Sequence, residues 1–146
     1  MSEFLSFLVV GEPAPKGSWK VVQRGKFARL INDSRKTAPW CEAVADAAHV
    51  ACGKAGASVP MFVRTALLVD VTFMFKRPQG HWTKCGKLKA SAPLQPMVKP
   101  DLDKLVRSTL DALTGIVFDD DARVVACQSR KGYGETAGAV VRVSLG

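Results

Sequence analysis

Soft metal ligands are scarce in this sequence. Its 146 residues include four cysteines and two histidines. The cysteines, at positions 41, 52, 85 and 127, form no CxxC pair, and the histidines stand apart from them. This spacing fits no zinc site, so we expect four reduced thiols in a cytoplasmic protein.

Long hydrophobic runs are also missing, and none reaches the ~20 residues of a membrane span. Residues 1–4 carry neither a basic segment nor a small-residue cleavage site. We therefore expect neither a membrane protein nor a secreted one. The chain is 47% hydrophobic and 23% charged, as in globular proteins. At this length one domain over residues 1–146 is expected.

Acidic residues are outnumbered by basic ones, 13 against 21, for a net charge of +8. Residues 16–36 hold seven basic side chains and one acid, and residues 76–99 hold six and none. Such an excess favours a polyanionic partner, because each neutralised phosphate releases condensed counterions. Six of the acids fall between positions 101 and 121, so we expect this window to have a specific use.

Hydrophobic periodicity predicts an α+β domain with two main helices packed on a mixed β-sheet. Apolar and β-branched runs predict strands at residues 4–10, 19–22, 27–31, 63–75, 123–128 and 139–144. An Ala-rich segment at 40–52 has helical spacing, with its start near Ala38 and its end at Gly53. Residues 77–100 are predicted to form a long basic loop, and loops of this length in a compact domain are usually functional or disordered.

The clearest helix is predicted at residues 101–114, between Pro100 and Gly115. One side carries an apolar stripe formed by Leu102, Leu105, Val106, Leu110 and Leu113. The other side carries Asp103, Arg107 and Asp111 at i, i+4 spacing.

Two acidic groups flank this helix: Asp101 and Asp103 in its first turn, and residues 119–121 after its end. Carboxylates about 4 Å apart repel by roughly 4 kcal/mol at an effective dielectric near 20. The helix N-terminus offsets only about 0.3–1 kcal/mol per charge. If the chain turns back so that the groups meet, they need a cation. Oxygen ligands without histidine or cysteine suit Mg²⁺ or Mn²⁺.

Each acidic group also has a structural interpretation. Asp101 is a candidate helix N-cap, and Asp103 a candidate ion-pair partner of Arg107. Residues 119–121 are compatible with a solvated turn. The sequence leaves these alternatives open beside the metal site.

Three short motifs in order resemble the RusA family of Holliday junction resolvases, found widely in phages and prophages. They are KPDLDKL at 99–105, LDALT at 110–114 and DDARVV at 120–125. GEP at 11–13 and PKG at 15–17 resemble the family's N-terminal strand and loop. Residues 50–94 add little to the match.

The resemblance implies a homodimeric endonuclease that resolves four-way DNA junctions by paired Mg²⁺-dependent nicks, with Mn²⁺ as a possible substitute. It implies 5′-phosphate ends, a role in recombination and repair, and the cytoplasm of a bacterial host if the gene is phage-borne. Asp101, Asp103 and Asp121 would be the metal ligands, with Asp120 an adjacent candidate. Arg107 stands where the family has a catalytic lysine. An arginine keeps the charge but cannot deprotonate. Lys104 is a second candidate for that role.

The basic segments would hold the junction arms through phosphates, without reading sequence. The residues expected to do so are Lys16, Lys20, Lys84, Lys87 and Lys89. Trp82 or Trp19 is a candidate for stacking at an opened junction, although buried tryptophans are commoner. No membrane contact and no small-molecule cofactor are expected. The alternatives are a non-catalytic basic DNA-binding module and a less selective structure-specific nuclease.

Overall fold

The computed structural model describes residues 3–17, 19–25, 27–32 and 35–146, with backbone alone at 19–24 and 27–32. The described strands are β1 (Phe4–Val10), β2 (Trp19–Arg24), β3 (Phe27–Asn32), β4 (Leu67–Lys76), β5 (Val124–Gly134) and β6 (Gly138–Leu145). The described helices are α1 (Thr37–Lys54) and α2 (Leu102–Leu113), with short 3-10 turns at Gln79–His81 and Asp121–Arg123.

The main sheet has the order β1-β6-β4-β5. β6 is antiparallel to both β1 and β4, whereas β4 and β5 are parallel. β2 and β3 form a separate antiparallel hairpin. These elements confirm the predicted α+β class with two helices and a mixed sheet.

The core lies between the two helices and one face of the sheet. Alternate residues of β4 and β6 face it, as expected for strands with one covered face. From α1 it receives Trp40, whose indole N–H donates to Thr109 of α2 at 3.2 Å. The largest fully buried side chains are Trp40, Phe73, Phe118, Leu67, Leu105, Leu113, Val9, Val44, Val71, Val117, Val141 and Val143.

Several helix and strand ends differ from those predicted from the sequence. α1 begins at Thr37 and runs through Gly53 to Lys54, so Gly53 does not end it. β4 begins at Leu67, after an irregular segment in which Arg64 has a φ of 50°. β5 runs on to Gly134 because it pairs with β4 up to Lys76. α2 ends as predicted, just before Gly115 with its φ of 87°.

Candidate functional site

The first turn of α2 presents two exposed carboxylates. Asp101 occupies the N-cap position, but its side chain accepts no capping hydrogen bond from the described residues. Its carboxylate is 48% exposed, and the Lys99 ammonium group lies at 4.0 Å. Capping, the structural alternative for Asp101, is therefore not its use here.

Asp103 lies in the same turn and is exposed. Within the described ranges its carboxylate has no hydrogen-bond or ion-pair partner, so the alternative pairing with Arg107 is not formed. Arg107 is exposed one turn later. A negative charge here is favoured by the helix dipole by about 0.3–1 kcal/mol. Both carboxylates are thus available to a ligand from solvent.

The loop at residues 11–17 packs beside this turn. The buried hydroxyl of Ser108 donates to the Ala14 carbonyl at 2.6 Å, and Thr37 Oγ1 donates to the Pro15 carbonyl at 2.5 Å. The Lys16 N–H donates to the Lys104 carbonyl at 3.0 Å, and Lys16 Nζ lies 2.9 Å from Asp111. These contacts tie residues 14–16, which include the first two residues of the PKG motif, to α1 and α2.

Between the loop and the two helices lies a cleft of about 630 Å³ that reaches Asp101. Two of its described lining residues are acidic, Glu12 and Asp101. Five are basic: Lys16, Arg35, Lys36, Lys99 and Lys104. The Lys36 ammonium group lies 3.1 Å from Glu12. The positive excess suits an anionic chain such as a phosphodiester backbone.

The three aspartates of the second acidic group, residues 119–121, differ in their contacts. Asp119 receives hydrogen bonds from Arg123, at 3.2 and 3.3 Å from Nε and 3.0 Å from Nη2. These bonds lower the pKa of Asp119 below its ordinary value. Asp120 accepts from the Ala122 N–H at 2.9 Å and caps the 3-10 turn. Asp121 is exposed and unpartnered among the described residues, so it is the carboxylate of this group left open.

The two acidic groups lie at opposite ends of α2. The chain runs about 18 Å along the helix and turns at residues 114–118 before it reaches Asp119. Asp119 donates its backbone N–H to Phe62, near the start of β4. At the other end of β5, Lys131 Nζ donates to the carbonyls of Val98 and Pro100, beside Asp101.

Within the described part of one chain, no three histidine, cysteine or acidic side chains lie close enough to hold a metal ion. The expectation that one chain folds both acidic groups into a shared pocket is therefore not met. The cause is topological, because the return strand β5 begins only after Asp121. The donor chemistry of Asp101 and Asp103 still suits a hard divalent cation. Their assignment as metal ligands, with Asp121, stays a prediction.

The long basic loop at residues 77–100 is ordered around a small turn. Trp82 and Leu88 form an isolated bridge, and the Thr83 N–H donates to the Lys87 carbonyl at 2.7 Å. Lys84, Lys87 and Lys89 all project from it and are exposed. Trp82 is 42% exposed. The side chains of Lys20 and Trp19 lie outside the described residues.

Sequence reasoning missed what holds this loop in place. The Arg77 guanidinium group lies 4.4 Å from the centre of the Tyr133 ring and donates to the Pro93 carbonyl at 2.7 Å. His81 meets the same ring edge-on at 5.5 Å. Tyr133 lies in β5, and tyrosine favours strands, so its presence was the available signal that β5 extends beyond residue 128.

The family model described as endodeoxyribonuclease RusA matches residues 11–144, nearly the whole chain. No curated protein matches the chain.

The chain belongs to the RusA endodeoxyribonuclease family. Members of this family are metal-dependent endonucleases that act on branched DNA junctions. In the described ranges, neither helix is long and apolar enough to cross a membrane.

Proposed function

We propose that the protein resolves four-way DNA junctions by Mg²⁺-dependent paired nicks, with Mn²⁺ as a substitute, and that it works as a homodimer. The observation that carries the proposal is the pair of exposed carboxylates in the first turn of α2, Asp101 and Asp103, of which Asp101 lines the basic cleft. Family membership favours this nuclease over a non-catalytic DNA-binding module.

Asp101, Asp103 and Asp121 would hold the metal ion. When bound, such an ion lowers the pKa of a water nucleophile and stabilises charge on the attacked phosphate. The chain's own residues supply the rest. Lys99 and Lys104 line the cleft next to Asp101 and would bind the phosphates on either side of the scissile bond.

Arg107 would stabilise negative charge that develops on the phosphate. An arginine side chain offers positive charge and hydrogen bonds but is not suited to proton transfer. Water attack in line with the leaving 3′ oxygen breaks the P–O3′ bond. That cleavage leaves a 5′-phosphate and a 3′-hydroxyl.

The homodimer is supported by the positions of the acidic groups. In one chain Asp121 lies at the far end of α2 from Asp101 and Asp103. A site that uses all three carboxylates therefore draws them from two chains. A four-way junction also has approximate two-fold symmetry, which matches two equivalent sites in a C₂ dimer.

The protein would act in the cytoplasm, which is that of the bacterial host if the gene is phage-borne. The state of the cysteines supports this location, because thiols stay reduced there. All four lie in described ranges and are free thiols. The long basic loop and the cleft would hold junction arms for recombination or repair.

The test is cleavage of a labelled four-way junction, a three-way junction and a linear duplex of the same sequence, each with Mg²⁺ and with EDTA. We expect symmetric nicks in the four-way junction alone, and only with Mg²⁺. Equal cutting of all three substrates would favour the less selective nuclease instead. Binding without cutting under every condition would refute the proposal.

A further inference from the structure

Three large apolar side chains are exposed near the end of the long basic loop. Leu94 is 83% exposed, Met97 82% and Val98 66%. Among the described residues they are the three most exposed large hydrophobic ones, and all three fall within five positions. Trp82, the candidate for stacking from the sequence, is less exposed, at 42%. Apolar surface left in water at such density marks a place that contacts another molecule.

The backbone of this segment is held near both ends by cations of the sheet. Arg77, which directly follows β4, donates to the Pro93 carbonyl at 2.7 Å. Lys131 of β5 donates to the Val98 carbonyl at 2.8 Å. Between these two attachments Pro96 is buried. The apolar side chains therefore project from a fixed backbone, so they would lose little backbone freedom on binding.

The segment leads directly into the first turn of α2. Met97 lies four residues before Asp101, and a chain of that length spans at most about 14 Å. The ammonium group of Lys99, which lies between them in the sequence, is 4.0 Å from the Asp101 carboxylate. The exposed apolar side chains are thus neighbours of a carboxylate that would hold the metal ion.

The charge around the segment selects a nucleic acid as its partner. Residues 71–100 contain no acid, and residues 76–99 contain six basic side chains. Such a surface attracts phosphates. A phosphate offers no apolar surface, so the part of DNA that suits leucine and methionine is the face of a base. Both side chains are among those that proteins insert between base steps.

Base faces are covered in a duplex because the bases are stacked. They become accessible where strands separate, and the cost of exposing them is least where pairing is already interrupted. The point of strand exchange in a four-way junction is such a place. We infer that Leu94, Met97 and Val98 insert against unstacked bases at the point of strand exchange, beside Asp101. The inference rests on the proposed function and adds the residues that recognise the branch point.

Base unstacking can be measured without cleavage. A four-way junction carries 2-aminopurine, whose fluorescence rises on unstacking, at the point of strand exchange, and EDTA is present throughout. We expect the wild type to raise the fluorescence, and the double variant Leu94→Ser/Met97→Ser to leave it near the value of free DNA. The double variant should still bind within about threefold of wild type, because phosphate contacts supply most of the affinity.

The matched control is Leu8→Ser/Val50→Ser. It removes two apolar side chains that are each 57% exposed, one on β1 and one on α1, away from the long basic loop. This control should raise the fluorescence as the wild type does.

A junction that is opened in advance provides the functional test. Two mismatched pairs at the point of strand exchange remove most of the unstacking cost. With Mg²⁺, we expect Leu94→Ser/Met97→Ser to cut the fully paired junction on the order of tenfold more slowly than wild type, because the variant no longer offsets unstacking. It should cut the mismatched junction at close to the wild-type rate.

The inference is overturned if the wild type gives no fluorescence rise, if the double variant gives the full rise, or if the double variant slows both junctions equally. A double variant whose mass by light scattering differs from that of the wild type would assign the segment to a protein contact instead, and would also overturn it.

Cleavage by the wild type is scored separately. A wild type that cuts junctions, beside a double variant that keeps the fluorescence rise, would leave the proposed function standing and refute this base contact. A wild type that never cuts, but whose fluorescence rise depends on Leu94 and Met97, would refute the proposed function and keep the base contact.

Discussion

The buried hydroxyl of Ser108 donates to the carbonyl of Ala14 at 2.6 Å, which fastens the loop at residues 11–17 to the middle of α2. Both residues are about 1% exposed. The nearby Lys16–Asp111 ion pair is half-exposed, and such pairs contribute only about 0.2–1 kcal/mol. The Ser108 hydrogen bond therefore contributes more than the Lys16–Asp111 ion pair to holding the loop at residues 11–17 against α2.

Ser108→Ala should destabilise the fold by about 1–3 kcal/mol, because the Ala14 carbonyl is left buried without its donor. Urea unfolding followed by circular dichroism measures this change. Ser91→Ala, at an exposed loop position, is the matched control and should stay within about 0.5 kcal/mol of wild type. A Ser108 variant as stable as that control would show that water or another donor replaces the hydroxyl.

The Asp119–Arg123 pair predicts a pH-dependent part of stability. Because Arg123 lowers the pKa of Asp119 in the folded state, its stabilisation is complete above the ordinary value of 3.8. It is lost as the pH falls below that value through the folded-state pKa. Asp119→Asn should therefore be less stable than wild type at pH 7, and the difference should shrink as the pH falls below 3.8. Thermal unfolding at a series of pH values checks this. A difference that does not depend on pH would contradict the assigned cause.

The three exposed lysines of the long basic loop should act through phosphates. Replacing Lys84, Lys87 and Lys89 together with alanine should weaken junction binding and reduce the slope of log affinity against log salt by up to about 3. Fluorescence anisotropy over a salt series measures both. The control, Lys54→Ala at the end of α1, should change neither. An unchanged slope in the triple variant would remove this loop from the DNA interface.

Arg107 should act by charge alone. Arg107→Ala is expected to slow single-turnover cleavage on the order of 10²-fold, as for loss of one donor to a developing negative charge. Arg107→Lys should recover much of the rate near neutral pH, where a lysine is protonated. A lysine variant as slow as the alanine variant would show that the bidentate geometry of the guanidinium group is required instead.

The sequence allowed most of the fold to be predicted because its periodic signals are local. The stripe from Leu102 to Leu113 and the turn at Gly115 place α2 within a residue of its observed ends. The prediction that α1 ends at Gly53 was wrong, because the helix continues past the glycine to Lys54 and the Ala55 N–H still bonds to a helix carbonyl.

The candidate site was harder to predict because it depends on the path of the chain. The motifs identify Asp101, Asp103 and Asp121, but which acids meet depends on where β5 turns back. In the sequence, Asp119 and Asp120 cannot be distinguished from Asp121, because the three aspartates are consecutive. Only the structure shows that Asp119 bonds to Arg123 and Asp120 to the Ala122 N–H. Ser108 lies on a helix of ordinary composition, so nothing local marks its contact with Ala14.

The most direct measurement of the central claim is single-turnover cleavage of a four-way junction by Asp101→Asn, beside Asp46→Asn, an exposed aspartate of α1 with the same change of charge. The account predicts that Asp101→Asn binds the junction at least as tightly as wild type but does not cut it with Mg²⁺, whereas Asp46→Asn cuts normally. Cutting by Asp101→Asn at the wild-type rate would contradict the account.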